Sequence, residues 1–203
     1  MKKILSLLIA ITVVFGMARS AQAVTVQWAD NGHLYEVVFS DNPTWFEARD
    51  AAAAMTYNGV SGYMATVTTA AEQSFLVTSF GGGPAIQQLW VGGYQDTSDP
   101  SYSEPNGGWR WITGEPWNTG ADKPVFSFNN NYFFTHSEEH LITWWGTGGL
   151  NDYYYAPDDP YPKAQGYIVE YDPVPEPSTV TLFAFGALGL FGYGWRRRKQ
   201  MKK

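Results

Sequence analysis

Residues 62–76 read GYMATVTTAAEQSFL and combine a strand pattern with the start of a helix. Its first six residues predict a short strand. Thr69 and Glu72 then have the spacing of a capping box, in which Thr69 is the N-cap of a helix and Glu72 its third residue. Phe75 and Leu76 are apolar anchors of that helix. The Gly-Gly-Gly-Pro run at residues 81–84 ends it.

A second strand and helix are predicted earlier in the chain. Residues 33–39 (HLYEVVF) alternate between apolar and polar side chains, which indicates a strand. Thr44 and Glu47 form another capping box, so a helix is expected to begin after Thr44. Its apolar face carries Trp45, Ala48, Ala52 and Met55. Asn58 and Gly59 are predicted to stop this helix.

The second half of the chain is predicted to contain only strands and loops. Strand patterns occur at residues 89–94, 108–112, 140–144 and 166–171. Between residues 113 and 137 lies a long stretch with Gly, Asn and Pro and no clear periodicity. A loop of that length inside a compact domain is usually functional. The whole pattern predicts an α+β fold with two helices, an antiparallel sheet and a long loop.

Seven short motifs, in order, resemble those of the C-type lectin-like domain. They are the Thr44-Trp45-x-x-Ala48 helix start, residues 62–67 (GYMATV), residues 71–73 (AEQ), residues 90–93 (WVGG), residues 108–112 (GWRWI), residues 150–152 (LND) and residues 166–170 (GYIVE). The resemblance implies a double-looped fold whose first and last strands pair and whose long loop carries ligand. The chain has no cysteine. Ala52 with Val169, and His140 with Tyr155, stand where the family places its disulfides, so packing is expected to replace them.

The same resemblance implies a possible calcium site. Glu138, Asn151 and Asp152 match the family's acidic position and its Asn-Asp pair, and hard oxygen ligands of this kind suit Ca²⁺. The family's Glu-Pro-Asn triplet is displaced, because Glu104-Pro105-Asn106 precedes the Trp109-Arg110-Trp111 strand. The alternative is that Glu138 is a solvated loop acid and that Asn151-Asp152 form a turn.

Side chains near the long loop offer a second way to bind a glycan. Aromatic rings can stack on the C–H faces of sugars, and an amide can donate and accept hydrogen bonds. The candidate ligand-binding residues are Trp117, Asn130, Trp145 and Tyr153. Trp109 and Trp111, in contrast, are expected to belong to the core.

The two ends of the chain carry export signals. Residues 1–23 combine Lys2 and Lys3, an apolar stretch and a small-x-small cleavage site at residues 21–23, which predicts a signal peptide removed by signal peptidase. Residues 24–173 then form the domain. Residues 174–203 form a tail with an apolar run at 179–195 that is just long enough for a transmembrane helix. A retained N-terminal helix and an ordinary C-terminal anchor are the alternatives.

The tail resembles the PEP-CTERM sorting signal of Gram-negative bacteria that make exopolysaccharide. The resemblance rests on Pro175, Glu176 and Pro177, the apolar run, and the basic cluster Arg196, Arg197 and Arg198. It implies that an exosortase removes the tail. We therefore expect inner-membrane anchoring before processing, and then a place at the cell surface or in the extracellular matrix.

Composition narrows the function of the domain. Residues 24–173 contain four basic and eighteen acidic residues, a formal charge of −14. This acidity argues against nucleic acid and anionic lipid as partners. His136 and His140 are four residues apart, but Phe133-Phe134 before them and the strand pattern after them argue against the helix of a zinc site. The sequence has no Gly-x-Ser-x-Gly turn and no cysteine nucleophile, which also argues against an enzyme. We expect a non-catalytic module that binds carbohydrate or matrix polysaccharide. The alternative is a metal-independent structural or protein–protein adhesion module of the biofilm matrix.

Overall fold

The computed structural model describes residues 24–128, 139–143, 146–153 and 164–173, and helical positions 183, 185–188, 190, 193 and 197. The predicted signal peptide, Asn130, Glu138, Trp145, Tyr155 and the sorting-signal residues other than Arg197 lie outside these described residues. Across the part of the chain that is described, no helix has the length and apolar character needed to cross a membrane.

Nine strands and two α-helices make up the described fold. The strands are β1 (Thr25–Gln27), β2 (Leu34–Phe39), β3 (Thr56–Tyr57), β4 (Val60–Met64), β5 (Leu89–Gln95), β6 (Trp109–Trp111), β7 (His140–Thr143), β8 (Leu150–Tyr153) and β9 (Gly166–Tyr171). The helices are α1 (Trp45–Ala54) and α2 (Ala70–Ser79), and a short 3-10 helix covers Gly83–Ile86.

Helix α1 begins as predicted and ends early. The Thr44 hydroxyl accepts a hydrogen bond from the Glu47 amide, and the Glu47 carboxylate accepts one from the Thr44 amide, which confirms the capping box. The helix ends at Ala54 because Met55 is already extended. Asn58 (φ 49°) and Gly59 (φ 84°) instead form the tight turn between β3 and β4.

The second capping box is only half correct. Thr69 accepts a hydrogen bond from the Glu72 amide, so α2 begins where predicted. The Glu72 carboxylate, however, accepts bonds from the Thr68 amide at 2.7 Å and from the Tyr35 hydroxyl at 2.6 Å. Glu72 is therefore part of the interior, which the local spacing does not indicate.

The sheet confirms the α+β prediction and the pairing of the predicted first strand, β2, with the last strand, β9; strand β1, which was not predicted, pairs with β2. Strand β2 runs antiparallel to β9, from Leu34 opposite Tyr171 to Phe39 opposite Gly166. The order continues through β5, β7 and β8, while β4 also pairs with β9 and β6 with β5. The pair β5–β9 is parallel, which the purely antiparallel prediction missed. With the long loop that follows β6, this is the arrangement implied by the resemblance to C-type lectin-like domains.

Packing replaces a covalent link between α1 and β9. Ala52 and Val169, which stand where the family has a disulfide, are both fully buried in one apolar cluster with Trp45 and Trp90. A second cluster on the other side of the sheet contains Leu76, Trp109 and Trp111 and confirms the core role of these two tryptophans. Helix α1 and strand β9 are thus joined by apolar packing at these two positions.

The start of β9 requires glycine. Gly166 has φ 147°, and a Cβ built there would lie 1.9 Å from the Val38 carbonyl oxygen of the paired strand β2. We expect Gly166→Ala to lower the free energy of unfolding by more than about 3 kcal/mol, because a backbone atom cannot move out of the way. Gly149→Ala is the matched control, since its nearest contact is the Thr147 hydroxyl at 3.3 Å. Equal midpoints of chemical denaturation for the two variants would contradict the expectation.

Candidate binding site at the β7–β8 end of the sheet

The register of two strands brings two carboxyl groups together. Strands β7 and β8 are antiparallel, with His140 opposite Tyr153 and Leu141 opposite Asp152. Glu139 immediately precedes β7, two residues before Leu141. Because successive side chains alternate between the faces of a sheet, Glu139, Leu141 and Asp152 share one face. Glu139 and Asp152 are therefore diagonal neighbours, within reach of each other's charge.

Glu139 is a fully buried acid whose side chain makes no hydrogen bond to the described residues. Both of its carboxyl oxygens are enclosed and lack a partner there. Its backbone is fixed, since the Gln95 amide donates to the Glu139 carbonyl at 2.8 Å. Burial, assisted by the negative charges of Asp152 and Glu104, raises the pKa of the carboxyl to about 8. An unpartnered buried carboxylate is costly, so this group holds a proton or requires a cation.

Asn151 and Asp152 are both buried on β8, so the alternative that they form a turn is wrong. The side-chain nitrogen of Asn151 donates to the backbone carbonyl of Asp152 at 2.5 Å. The side-chain oxygen of Asn151 has no hydrogen-bond partner among the described residues. Strand alternation directs Asn151 to the face of Tyr153 and Asp152 to the face of Glu139. The role of Asn151 and Asp152 as metal ligands stays a prediction.

Within the described residues, the acid that faces Asp152 is Glu139. Glu138, the acid predicted from the resemblance, lies outside them. A strand that starts at residue 140 places residues 139, 141 and 143 on one face, but only the register of β7 with β8 shows that this face also carries Asp152.

The oxygens of Glu139 and Asp152 are the type of ligand that a hard cation prefers, but these two carboxylates alone are too few to fill its coordination shell. Ca²⁺ takes six to eight oxygen ligands. In the described parts of the chain, no group of three His, Cys, Asp or Glu side chains is placed to hold a metal. Glu139 and Asp152 would supply two carboxylates, and further ligands would have to come from other segments, from backbone oxygens or from a bound molecule.

Trp117 is engaged in packing. Its ring lies 4.9 Å from that of Phe126, 5.1 Å from Trp111 and 5.8 Å from Trp109, measured between centroids. The indole is partly buried against the core and so has a packing role, while its sugar contact stays a prediction. Tyr153 is also half-buried, with its ring 5.6 Å from that of Trp90.

A second buried polar cluster was missed by sequence reasoning. We call it the Glu72–Glu170 cluster; it comprises His33, Tyr35, Thr66, Glu72 and Glu170. The single Tyr35 hydroxyl lies 2.6 Å from a Glu72 oxygen and 3.1 Å from a Glu170 oxygen. His33 Nδ1 lies 2.5 Å from the same Glu170 oxygen, and the Thr66 amide donates to the other at 2.8 Å. A signal existed in the sequence, because Glu170 interrupts an otherwise apolar strand.

The charge state of this cluster follows from its burial. Burial raises the pKa of Glu72 to about 7, assisted by the charge of Glu170 and opposed by hydrogen bonds from Tyr35 and Thr68. The hydrogen bond to Glu170 raises the pKa of His33. Both groups therefore hold their protons more tightly in the folded chain than in the unfolded one.

Comparison with known proteins identifies the tail. Residues 173–199 match the PEP-CTERM protein-sorting motif. The match confirms the predicted sorting signal, and it implies export and processing by an exosortase. The chain is thus an exported protein with a surface or extracellular destination.

The domain is similar to part of a much longer protein. It is 29% identical over 157 residues to Halomucin of Haloquadratum walsbyi. That alignment covers 75% of this chain but only 2% of Halomucin.

Two solved structures are also similar. Human lithostathine has a TM-score of 0.47 at 16% identity, covering 73% of this chain and 88% of that one. CEL-IV has a TM-score of 0.47 at 16% identity, covering 76% of this chain and 95% of that one.

Proposed function

We propose that this exported chain is a non-catalytic module that binds carbohydrate of the extracellular matrix through a calcium ion held at Glu139 and Asp152. The observation that carries the proposal is the Glu139 carboxyl group. It is buried, its two oxygens lack hydrogen-bond partners within the described residues, and it faces a second acid on the neighbouring strand. A divalent cation would neutralise both charges and supply the missing contacts.

The charge distribution agrees with this proposal. A cation between two carboxylates lowers the pKa of each, because it favours their ionised forms. Calcium bound there would keep open coordination positions for sugar hydroxyls, which are oxygen donors of the same hard type. With a formal charge of −14 over residues 24–173, the domain also suits a neutral glycan better than an anionic one.

A metal-independent adhesion module is the second candidate, and the packing of Trp117 favours it. This indole lies against Trp109, Trp111 and Phe126 and does not form an open platform for a sugar ring. Such a module would bind a surface protein, and chelator would leave that binding unchanged.

The test is a calorimetric titration with Ca²⁺ of the chain and of two variants. We expect saturable binding in the parent chain and at least a tenfold loss of affinity in Asp152→Asn, because one carboxylate ligand is removed. Asp50→Asn, a change at an exposed acid of α1, is the matched control and should bind like the parent. A glycan screen with calcium and with chelator then follows. Absence of calcium binding in the parent chain, or equal losses in the two variants, would contradict the proposal.

A further inference from the structure

The side chain of Gln73 joins three separate segments of the fold. It lies on α2 and is almost completely buried. The Val125 amide donates to its side-chain oxygen at 2.8 Å, and its side-chain nitrogen donates to the Gly148 carbonyl at 3.2 Å and to the Val125 carbonyl at 3.4 Å. One acceptor and two donor hydrogens are thus all used. The carboxamide therefore pairs with both the backbone N–H and the backbone carbonyl of Val125, as the backbone of a neighbouring strand would.

The segment that Gln73 contacts is itself bound to β8. The Leu150 amide donates to the Val125 carbonyl at 2.8 Å, and the Ser127 amide donates to the Leu150 carbonyl at 2.7 Å. Phe126 and Leu150 form an isolated parallel bridge. Residues 125–127 therefore cover the outer edge of β8 at its first residue, two positions before Asp152.

The turn before β8 is also seated on α2. A Cβ built on Gly148 would lie 2.3 Å from a methyl carbon of Val77, so the turn touches the helix with no room for a side chain. Gly148 also has φ 69°, which glycine adopts without strain. The Gly148 carbonyl that accepts from Gln73 is thus held on the surface of α2 from two sides.

We propose that Gln73 is a positioning residue that fixes β8, and with it Asp152, relative to α2. It does so by holding residues 125–127 and the turn at Gly148 together through one carboxamide. The importance of this for binding rests on the proposed function, since Asp152 matters as a ligand only if the site takes a cation.

The chemistry of the carboxamide makes the proposal specific. In Gln73→Glu the side chain keeps an acceptor for the Val125 amide, but its second oxygen faces the carbonyls of Val125 and Gly148, which repel it. When protonated, that oxygen can donate one hydrogen and recover one of the two lost bonds. A positioning role therefore predicts a defect that depends on pH, which simple loss of packing volume would not produce.

The experiment is residue-resolved hydrogen exchange on the full chain, comparing each variant with the parent at pH 8 and pH 5. In Gln73→Glu at pH 8 we expect the amides of Val125, Ser127 and Leu150 to exchange at least tenfold faster, with partial recovery at pH 5. Amides of the β2–β9 pair should be unchanged. Ser74→Ala is the control, because the Ser74 hydroxyl donates to the Ala70 carbonyl of its own helix and, within the described residues, links no other segment.

Two results would overturn the proposal. The first is unchanged exchange at Val125, Ser127 and Leu150. The second is equal acceleration in β2–β9, which would indicate general destabilisation. Calcium titration of the same samples tests the proposed function separately. If the parent chain binds no calcium, the proposed function fails, while the exchange rates still decide whether Gln73 positions β8.

Discussion

In calcium-free buffer, the free energy of unfolding of this chain is expected to fall as the pH rises from 5 to 9. Glu72 has a folded-state pKa of about 7, raised mainly by burial. A group whose pKa is higher in the folded state stabilises the fold fully below its unfolded pKa and loses that contribution as pH rises through the folded value. His33, whose pKa is raised by its bond to Glu170, acts in the same direction.

The size of the effect can be bounded. The Glu72 shift corresponds to a loss of up to about 3 kcal/mol, because each pKa unit is worth about 1.4 kcal/mol. For a protein of this length that is a fall in Tm of roughly 10 °C. The physical reason is that one hydroxyl hydrogen, that of Tyr35, is shared between two carboxylate acceptors. Tyr35 can donate its single hydroxyl hydrogen to Glu72 or to Glu170, and above pH 7 the other oxygen faces a phenol oxygen without a proton between them.

Chemical denaturation at several pH values checks this prediction. Glu72→Gln should give a shallower decline, since a neutral amide does not titrate, although it also loses one acceptor for the Thr68 amide. Glu47→Gln, at an exposed capping position on α1, is the control and should keep the slope of the parent chain. A stability that rises between pH 5 and 9, or an unchanged slope in Glu72→Gln, would refute the role given to the Glu72–Glu170 cluster.

Local signals account for the parts of the fold that could be predicted. Thr44 and Glu47 define the start of α1 because a capping box involves only four residues. The alternation that starts at Tyr35 and Val37 identifies β2, because both side chains pack in the cluster that contains Leu76, whereas Phe39 at the end of the strand is exposed. These features are set by neighbours in the chain. Sequence alone therefore places them to within a few residues.

Glu72 shows why the buried clusters could not be predicted in the same way. Its spacing from Thr69 is that of a capping partner, and the local pattern contains nothing else. In the fold its carboxyl group meets Tyr35, 37 positions earlier in the chain, and the charge of Glu170 near the end of the domain. Only the pairing of β2 with β9 brings those two residues together, and no short pattern contains that information.

The candidate site could likewise be predicted only in part, because short motifs name candidate residues but do not give the pairing of the strands that carry them. The resemblance groups Glu138 with Asn151 and Asp152 from motif order, and that grouping stays a prediction. Which of two adjacent acids faces Asp152 depends on the exact first residue of β7 and its register with β8. A shift by one residue moves a side chain to the other face of a sheet. Motif spacing is too coarse to fix that register.

Glu139→Gln is expected to change stability and calcium binding in opposite directions. Without calcium at pH 9, the parent chain carries a buried charge on a carboxyl whose pKa is about 8, beside Asp152 and Glu104. The amide removes that charge although it stays a polar group without a partner, so the variant should be more stable by more than about 1 kcal/mol, since each unit of a raised pKa is worth about 1.4 kcal/mol. With calcium the order should reverse. Saturation at about 100 times Kd adds about 2.7 kcal/mol to the parent and little to a variant lacking this ligand.

Thermal unfolding of the parent chain and of Glu139→Gln at pH 9, with calcium and with chelator, tests whether the order of their stabilities reverses. Asp50→Asn is again the control and should follow the parent in both conditions, because its carboxylate is exposed and pairs with Arg49. If Glu139→Gln were less stable than the parent in chelator, Glu139 would be a structural hydrogen-bonding group. If it kept the full calcium shift, the cation would bind elsewhere. A crossing of the two stabilities would show that Glu139 lowers the stability of the empty domain and that a bound cation offsets this cost.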